Sequence, residues 1–221
     1  MSILFPENII GMHSSMCMNI SPSYFLKKIL YTLRPSLIVE KKYEHLAYPI
    51  PVILPKILEE IGYVHLQATK PDTLGVALTD SPSGLAVYII EKFLSLSNPN
   101  WKNTDVTNLT AQFNTDVLID NVMIYWVTGT ITSSMRLFSE AIHKTESSLL
   151  DRFPVRVPAA CARFIKDLFY NPVALLEDKY VNLLQVTDNE GGHFPALECP
   201  HVLASDIYAF TEKILTLNDK K

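Results

Sequence analysis

The chain has 221 residues, 48% of them hydrophobic and 19% charged, which suits one large domain or two small ones with a buried core. Its formal net charge is −4, and its lysines and arginines are scattered along the sequence. This balance gives no electrostatic reason to expect a nucleic acid or an anionic membrane surface as a partner.

The three cysteines are Cys17, Cys161 and Cys199. They are odd in number and far apart, and no two of them form a Cys-x-x-Cys motif. This usage favours a reducing compartment over a disulfide framework and argues against a structural metal site. We also expect no cofactor.

Membrane and targeting signals are weak. No apolar run reaches the roughly 18 residues that a spanning helix needs. The N-terminal residues lack the basic region of a signal peptide and are interrupted at Pro6. We therefore expect these residues themselves to carry neither a span nor a secretion signal.

The first predicted element is a short buried strand within residues 9–17, running into a loop. A helical pattern at residues 24–30 is predicted next, and it stops near Pro35. Further helices are predicted at residues 51–66, from Pro71, and from Pro82 through Phe93, followed by a buried helical segment over 116–140. Proline in the first helical turn, preceded or followed by Asp or Ser, marks two of these starts. The polar, Asn-rich residues 94–113 predict a long loop.

The C-terminal part differs from the helical middle of the chain because its sequence predicts strands. Strands are predicted at 153–161 and 181–187, followed by a glycine-rich loop and a helix over about 201–217. Strands thus stand at both ends of the chain, with about a hundred mainly helical residues between them, which is typical of a helical lid inserted into an α/β sheet. The predicted division is sheet core at 1–18, lid at 19–144 and sheet core again at 145–221.

The sequence Glu190-Gly191-Gly192-His193-Phe194 carries the strongest functional signal. Two glycines after a buried strand allow a sharp turn that would place the His193 imidazole at the mouth of a site. His193 is therefore the candidate general base. The alternative is a turn histidine that bonds only to backbone.

A general-base histidine needs a carboxylate to fix its tautomer and stabilise its charged form. Asp167 follows the 153–161 strand, where a strand-end loop could direct it at His193, although an acid there could also serve only the helix dipole. Further candidates for this role are Glu177, Asp178 and Asp188.

Other side chains could line or serve a pocket. Tyr63 has a hydroxyl that could donate to an oxygen developing negative charge, but a half-buried aromatic is the simpler interpretation. His13 lies at a strand end and could line a pocket or be hydrogen-bonded within its loop. The simplest interpretation of His65 is likewise a locally hydrogen-bonded residue. Trp126 lies in an apolar segment, which predicts either a packed core or the wall of a substrate cavity.

No Gly-x-Ser-x-Gly or Gly-x-Asp-x-Gly elbow occurs in the 221 residues. The sequence therefore carries a candidate base and acid without a recognisable nucleophile.

Four segments give the chain a resemblance to the epoxide hydrolases of the α/β-hydrolase superfamily, closest to the microsomal type and the insect juvenile hormone epoxide hydrolases. They are residues 62–73, 78–93, 121–130 and the Gly-Gly-His-Phe sequence at 191–194. The likeness extends over almost the whole chain. It implies an α/β-hydrolase fold with an inserted helical cap.

The resemblance also implies roles by position. The base falls on His193, and its charge-relay acid on Asp167, where the microsomal type usually has glutamate. One of the two tyrosines that polarise the epoxide oxygen falls on Tyr63. The second falls on Phe138, which cannot donate a proton. Phe138, Trp126 and His13 are the residues that we expect to line the substrate site.

The family's aspartate nucleophile, oxyanion loop and membrane anchor would all precede the position matching Met1. We therefore expect the nucleophile to be missing from this chain, and microsomal or endoplasmic-reticulum membrane association to depend on that anchor. The implied substrate is a small lipophilic epoxide, either juvenile hormone or a xenobiotic, that is converted to a diol. The alternatives are a non-catalytic paralogue that binds an apolar ligand and an inert fragment.

Overall fold

The computed structural model describes residues 1–101, 107–143 and 149–218. These divide into two compact units, one formed by 1–55 with 149–221 and the other by 56–148. The predicted core–lid boundary at 144 lies outside the described residues, and the three-part division remains a prediction.

The first unit contains a parallel sheet. Its strands are β1 (Met12–Ser14), β2 (Ala159–Phe164) and β3 (Leu183–Asn189), in the spatial order β1-β2-β3. His13 pairs in register with Ala160, and Arg163 with Asp188. The α/β class is therefore confirmed. The predicted strand at 153–161 was placed too early, because only Val155 forms an isolated bridge, with Tyr180, before β2 begins.

The α-helices of the first unit include α1 (Pro22–Leu30) and α2 (Glu44–Ala47) and, later in the chain, α10 (Val173–Leu176), α11 (Pro195–Glu198) and α12 (Pro200–Asn218). Helix α3 (Ile50–Glu60) crosses from this unit into the next.

Central strand β2 is covered on both faces, which explains its run of small residues. Ala160 packs beneath Phe210 and Ile214 of α12, whereas Cys161 belongs to a cluster on the opposite face with Leu176. A strand that is buried on both faces carries a continuous apolar sequence rather than an alternating one.

Cys17 and Cys161 form a disulfide with an S–S distance of 2.00 Å. The expectation of three reduced cysteines is therefore wrong. It failed because the pairing joins residues 144 positions apart, which the fold brings together beside β1 and β2. Cys199 is the free cysteine.

The second unit is helical. It contains α4 (Gly62–Thr69), α5 (Pro71–Asp80), α6 (Pro82–Ser97), α7 (Thr107–Gln112), α8 (Thr115–Thr128) and α9 (Ile131–His143). The predicted single helix 51–66 is thus two helices, α3 and α4, and the predicted 94–113 loop contains the end of α6 and α7, with residues 102–106 outside the described part. The predicted 116–140 segment is the pair α8 and α9.

Both proline-marked helix starts are confirmed. Pro71 and Pro82 occupy the first positions of α5 and α6, and the Ser81 hydroxyl accepts a hydrogen bond from the N–H of Gly84 at 3.0 Å. Helix α5 approaches α9 closely at Gly75, where an added Cβ would lie 2.4 Å from Thr132 Oγ1.

The core of this unit is formed by side chains from four helices. Its buried members are Leu78, Leu85, Val122, Ile131 and Met135. Leu85 and Met135 are fully buried. This cluster fixes the positions of α8 and α9, the helices that carry Trp126 and Phe138.

Candidate active site

The His193 loop begins where β3 ends. Gly191 has φ +135°, a conformation that residues with a side chain rarely adopt, and an added Cβ would lie 2.9 Å from Cys199 Sγ and 3.0 Å from Phe164 Cδ1. Both conformation and space therefore require glycine at 191. The chain then turns through His193 into α11, which starts at Pro195.

Asp167 lies in the turn that follows β2. Its N–H donates to the carbonyl of Phe164 at 3.0 Å, and the N–H of Lys166 donates to the carbonyl of Gly191 at 3.0 Å. These backbone bonds tie the turn after β2 to the loop after β3. Adjacent parallel strands bring their carboxyl ends to one edge of the sheet, where α/β proteins place their functional loops.

His193 and Asp167 are hydrogen-bonded, with 3.0 Å between Nδ1 and Oδ1. The Asp167 side chain is only 4% exposed, whereas that of His193 is 26% exposed. The bond from Nδ1 leaves proton chemistry to Nε2 and sets the ring orientation, as in His–acid pairs of hydrolases.

The pKa of His193 is raised above its usual 6.5, chiefly by the hydrogen bond to Asp167. Burial opposes this shift, and the negative charges of Asp167 and Glu198 add to it. The carboxylate therefore stabilises the imidazolium that a base forms when it takes a proton from water.

Glu198 holds the loop on both sides of His193. Its Oε2 accepts a hydrogen bond from the N–H of Gly192, and its Oε1 accepts one from the N–H of Phe194, each at 2.8 Å. Our sequence reasoning missed this residue. The available signal was an acid in the first turn of the helix that Pro195 begins, directly after the glycine-rich loop.

The other acids considered for the Asp167 role have different environments. Asp188 pairs with Arg163 at 2.7 Å, and Asp178 pairs with Lys27 at 2.6 Å. Glu177 is exposed at the end of α10. Asp167 is therefore the acid that the fold brings to His193.

His13 forms a second histidine–carboxylate pair. Its Nε2 lies 2.8 Å from Oδ1 of Asp206 on α12, and its side chain is 12% exposed. Thr187 and Gln185 of β3 also donate to this carboxylate. Burial raises the pKa of Asp206, but the hydrogen bonds from Thr187, His13 and Gln185 outweigh it, so that this pKa is lowered overall.

In the second unit, Tyr63 and Phe138 are in contact. Both are half-buried, and their rings meet edge to face, with 6.2 Å between centroids and 71° between planes. Phe138 thus occupies a position beside the Tyr63 ring without a hydroxyl of its own. His65, on the same helix as Tyr63, is exposed.

Trp126, which is 36% exposed, borders a cavity of about 290 Å³ within the second unit. The cavity's other lining residues are Leu78, Thr79, Leu85, Tyr125, Gly129 and Ile131. The lining is mainly apolar, which suits a lipophilic ligand better than a charged one.

Within the described ranges, no group of three or more His, Cys, Asp or Glu side chains could hold a metal ion. In the same residues no single helix has both the length and the hydropathy to cross a bilayer. Helices α5 and α6 taken together have the length and composition of a span, but the two helices are bent by 119° relative to each other.

A parallel sheet with a histidine and its acid on successive strand-end loops is an arrangement found in the α/β-hydrolase fold. Solved structures have the same fold. The crystal structure of juvenile hormone epoxide hydrolase from the silkworm Bombyx mori superposes on 98% of this chain, over 52% of the silkworm chain, at 39% identity and a TM-score of 0.94. Aspergillus niger epoxide hydrolase, at 22% identity and a TM-score of 0.68, shares the fold.

No family model matches the chain, but curated proteins similar in sequence match it from end to end. Juvenile hormone epoxide hydrolase 1 of Ctenocephalides felis is 47% identical over all of this chain, and the Manduca sexta juvenile hormone epoxide hydrolase is 41% identical over the same span. The chain is therefore homologous, over its whole length, to insect juvenile hormone epoxide hydrolases. It spans about half the length of these relatives, 48% in each case.

Proposed function

We propose that this chain supplies the water-activating part of an epoxide hydrolase that converts a lipophilic epoxide to a diol. The observation that carries the proposal is the 3.0 Å hydrogen bond between His193 and Asp167 at the carboxyl edge of a parallel sheet. The family relationship supports it, because the relatives named above are epoxide hydrolases.

In the proposed reaction a carboxylate attacks a ring carbon and forms an enzyme ester, while Tyr63 donates a hydrogen bond to the oxygen released from the ring. His193 then takes a proton from water, and the hydroxide formed attacks the ester carbonyl. The ester bond breaks, and the imidazolium of His193 returns its proton to the departing oxygen. The other proton of the water, released as the carboxylate is regenerated, neutralises the oxygen that Tyr63 had stabilised, and the diol leaves. Asp167 holds the imidazole and stabilises its charge throughout this step.

We further propose that the attacking carboxylate is not among these 221 residues, since they contain no Gly-x-Asp-x-Gly elbow. The test is co-expression of this chain with a polypeptide that corresponds to the remaining half of the Bombyx mori enzyme. Diol formation from juvenile hormone is expected in the combination and not in either part alone. His193→Gln should reduce it by about 10²–10⁴-fold, the usual contribution of a general base.

Two results would contradict this proposal. The first is turnover in the combination that His193→Gln leaves unchanged. The second is diol formation by the 221-residue chain alone that depends on His193, because the attacking group would then lie within the chain.

A second candidate function is binding of an apolar ligand without turnover. The observation that favours it is Phe138, which stands beside Tyr63 where the resemblance places a second tyrosine. This hypothesis predicts saturable binding of juvenile hormone by the isolated chain, measurable by calorimetry. In the combination with the remaining half, Phe138→Tyr should produce no turnover under this hypothesis and should increase turnover under the first.

We also propose a location at the endoplasmic-reticulum membrane, based on the resemblance to the microsomal type. Fractionation of cells that express the chain tests this directly. Recovery of the chain in the cytosolic fraction alone, with the co-expressed partner present, would contradict it.

A further inference from the structure

Lys92 lies over the ring of the candidate proton donor. Its Nζ is 4.8 Å from the ring centroid of Tyr63 and 5.9 Å from that of Tyr88. The Lys92 side chain is only 23% exposed. The ammonium is therefore held near two phenol rings rather than extended into solvent.

The local structure fixes this arrangement. Tyr88 and Lys92 are four residues apart on α6, so their side chains lie on the same face of the helix. Gln67 of α4 donates to the hydroxyl of Tyr88 at 3.0 Å, which links the helix that carries Tyr63 to the helix that carries Lys92. Lys92 also pairs with Glu91, whose carboxylate is 45% exposed.

A cation over the face of an aromatic ring is attracted by the negative charge of the π-system. Ionisation of a phenol increases the electron density of its ring, so the same cation favours the phenolate over the phenol. A tyrosine that donates a proton, or a strong hydrogen bond, to a leaving oxygen benefits directly from this preference.

We propose that Lys92 is a positioning residue that holds the Tyr63 ring and stabilises its ionised form, so that this tyrosine is a stronger acid toward the epoxide oxygen. The proposal rests on the role proposed above for Tyr63. It explains how one phenol acts where Phe138 provides no second hydroxyl.

Other charges on the neighbouring helices also act on Tyr63. Glu91 opposes Lys92, and α9 carries Arg136, which pairs with Asp72 at 2.6 Å. The remaining titratable groups on the elements that pack around α4 are Lys56, Glu59, Glu60, His65, Asp80, Tyr88, Glu140 and His143. Single variants of the carboxylates measure their contributions separately from that of Lys92.

The test is an NMR titration of the 221-residue chain labelled with 13Cζ-tyrosine, in which the Tyr63 signal is assigned by its loss in Tyr63→Phe. Lys92→Met should raise the pKa of Tyr63 by about 0.5 to 1 pH unit, the shift that corresponds to a half-buried cation–π contact. Lys92→Arg keeps a cation over the ring and should restore most of the original value. The matched control is Lys70→Met, an exposed lysine of the same unit, which should leave the titration unchanged.

An unchanged Tyr63 titration in Lys92→Met, with the amide spectrum of the folded chain retained, would overturn the proposal. So would a shift in Lys70→Met as large as that in Lys92→Met. Because the titration involves no substrate, its result is independent of epoxide turnover. A shift in Lys92→Met, together with turnover that Tyr63→Phe leaves intact, would refute the catalytic role of Tyr63 but not the contact with Lys92.

Discussion

Replacement of Glu198 by alanine tests whether the His193 loop depends on one carboxylate. The two hydrogen bonds that Glu198 accepts flank the histidine, from the N–H groups of Gly192 and Phe194. Hydrogen bonds to charged groups contribute about 1.5–3 kcal/mol each when buried. Glu198 is partly exposed, so we take about 1 kcal/mol for each bond and about 2 kcal/mol for the pair.

Amide hydrogen exchange measures this free energy locally. Since 1.4 kcal/mol corresponds to a tenfold change in an equilibrium constant, a loss of about 2 kcal/mol predicts about 30-fold faster exchange at Gly192 and Phe194 in Glu198→Ala. In Glu198→Gln one of the two acceptor oxygens is replaced by an NH2 group, so one of the two amides should stay protected.

The matched control is Glu212→Ala, an exposed glutamate on α12. It should leave exchange at both loop amides unchanged. If Glu198→Ala changes exchange at Gly192 and Phe194 by less than about threefold, corresponding to less than about 0.7 kcal/mol, the carboxylate does not hold this loop and the reasoning is wrong.

Three further perturbations follow from the same contacts. Asp167→Asn should lower the pKa of His193. A raised histidine pKa stabilises the fold below 6.5, and this stability is lost as pH rises through the folded-state value. Urea denaturation should therefore show that the variant loses more unfolding free energy at about pH 5.5 than at about pH 9. Leu85→Ala, at a fully buried position, should lower the unfolding free energy of its unit by about 2–5 kcal/mol in urea denaturation, whereas a loss below about 1 kcal/mol would contradict the packing described. Cys17→Ser should lower the unfolding free energy by about 2–4 kcal/mol in the same assay. A thiol titration of the unreduced, denatured parent chain should find one thiol rather than three, because Cys17 is bonded to Cys161.

The parts of the site that the sequence predicts are those whose signals are local. Gly191 and Gly192 after a strand pattern indicate a sharp loop, and His193 and Asp167 each follow a predicted strand. Since parallel strands end at a common edge, the two loops could be expected to meet, and the structure brings the two side chains within hydrogen-bonding distance. Their catalytic roles remain a prediction.

The parts that the sequence does not predict depend on contacts between distant residues. Cys17 and Cys161 are separated by 144 positions, and no spacing rule connects them. His13 and Asp206 are 193 residues apart. Neither pairing has a local pattern, because each is created by the register of β1 on β2 and the packing of α12 over the sheet.

Among its described residues, the unit that holds the sheet contains two histidine–carboxylate pairs, and topology distinguishes them. His193 and Asp167 both follow the carboxyl ends of strands, on loops, where side chains can meet a ligand. His13 lies within β1, and Asp206 lies within α12, so that this pair bridges a strand and the helix that covers it. The first arrangement is typical of a site, and the second of a packed interior.

The hydrogen bonds of the second carboxylate support the same distinction. Asp206 accepts from Thr187 and Gln185 as well as pairing with His13, and it is 8% exposed. A buried carboxylate that loses one donor retains its charge without full compensation. His13→Gln should therefore lower the unfolding free energy by about 1–3 kcal/mol, measured by urea denaturation at about neutral pH. In the combined enzyme the same variant should keep turnover under conditions where it stays folded. Loss of turnover in a folded His13→Gln protein would instead place His13 at the substrate, as the sequence analysis proposed.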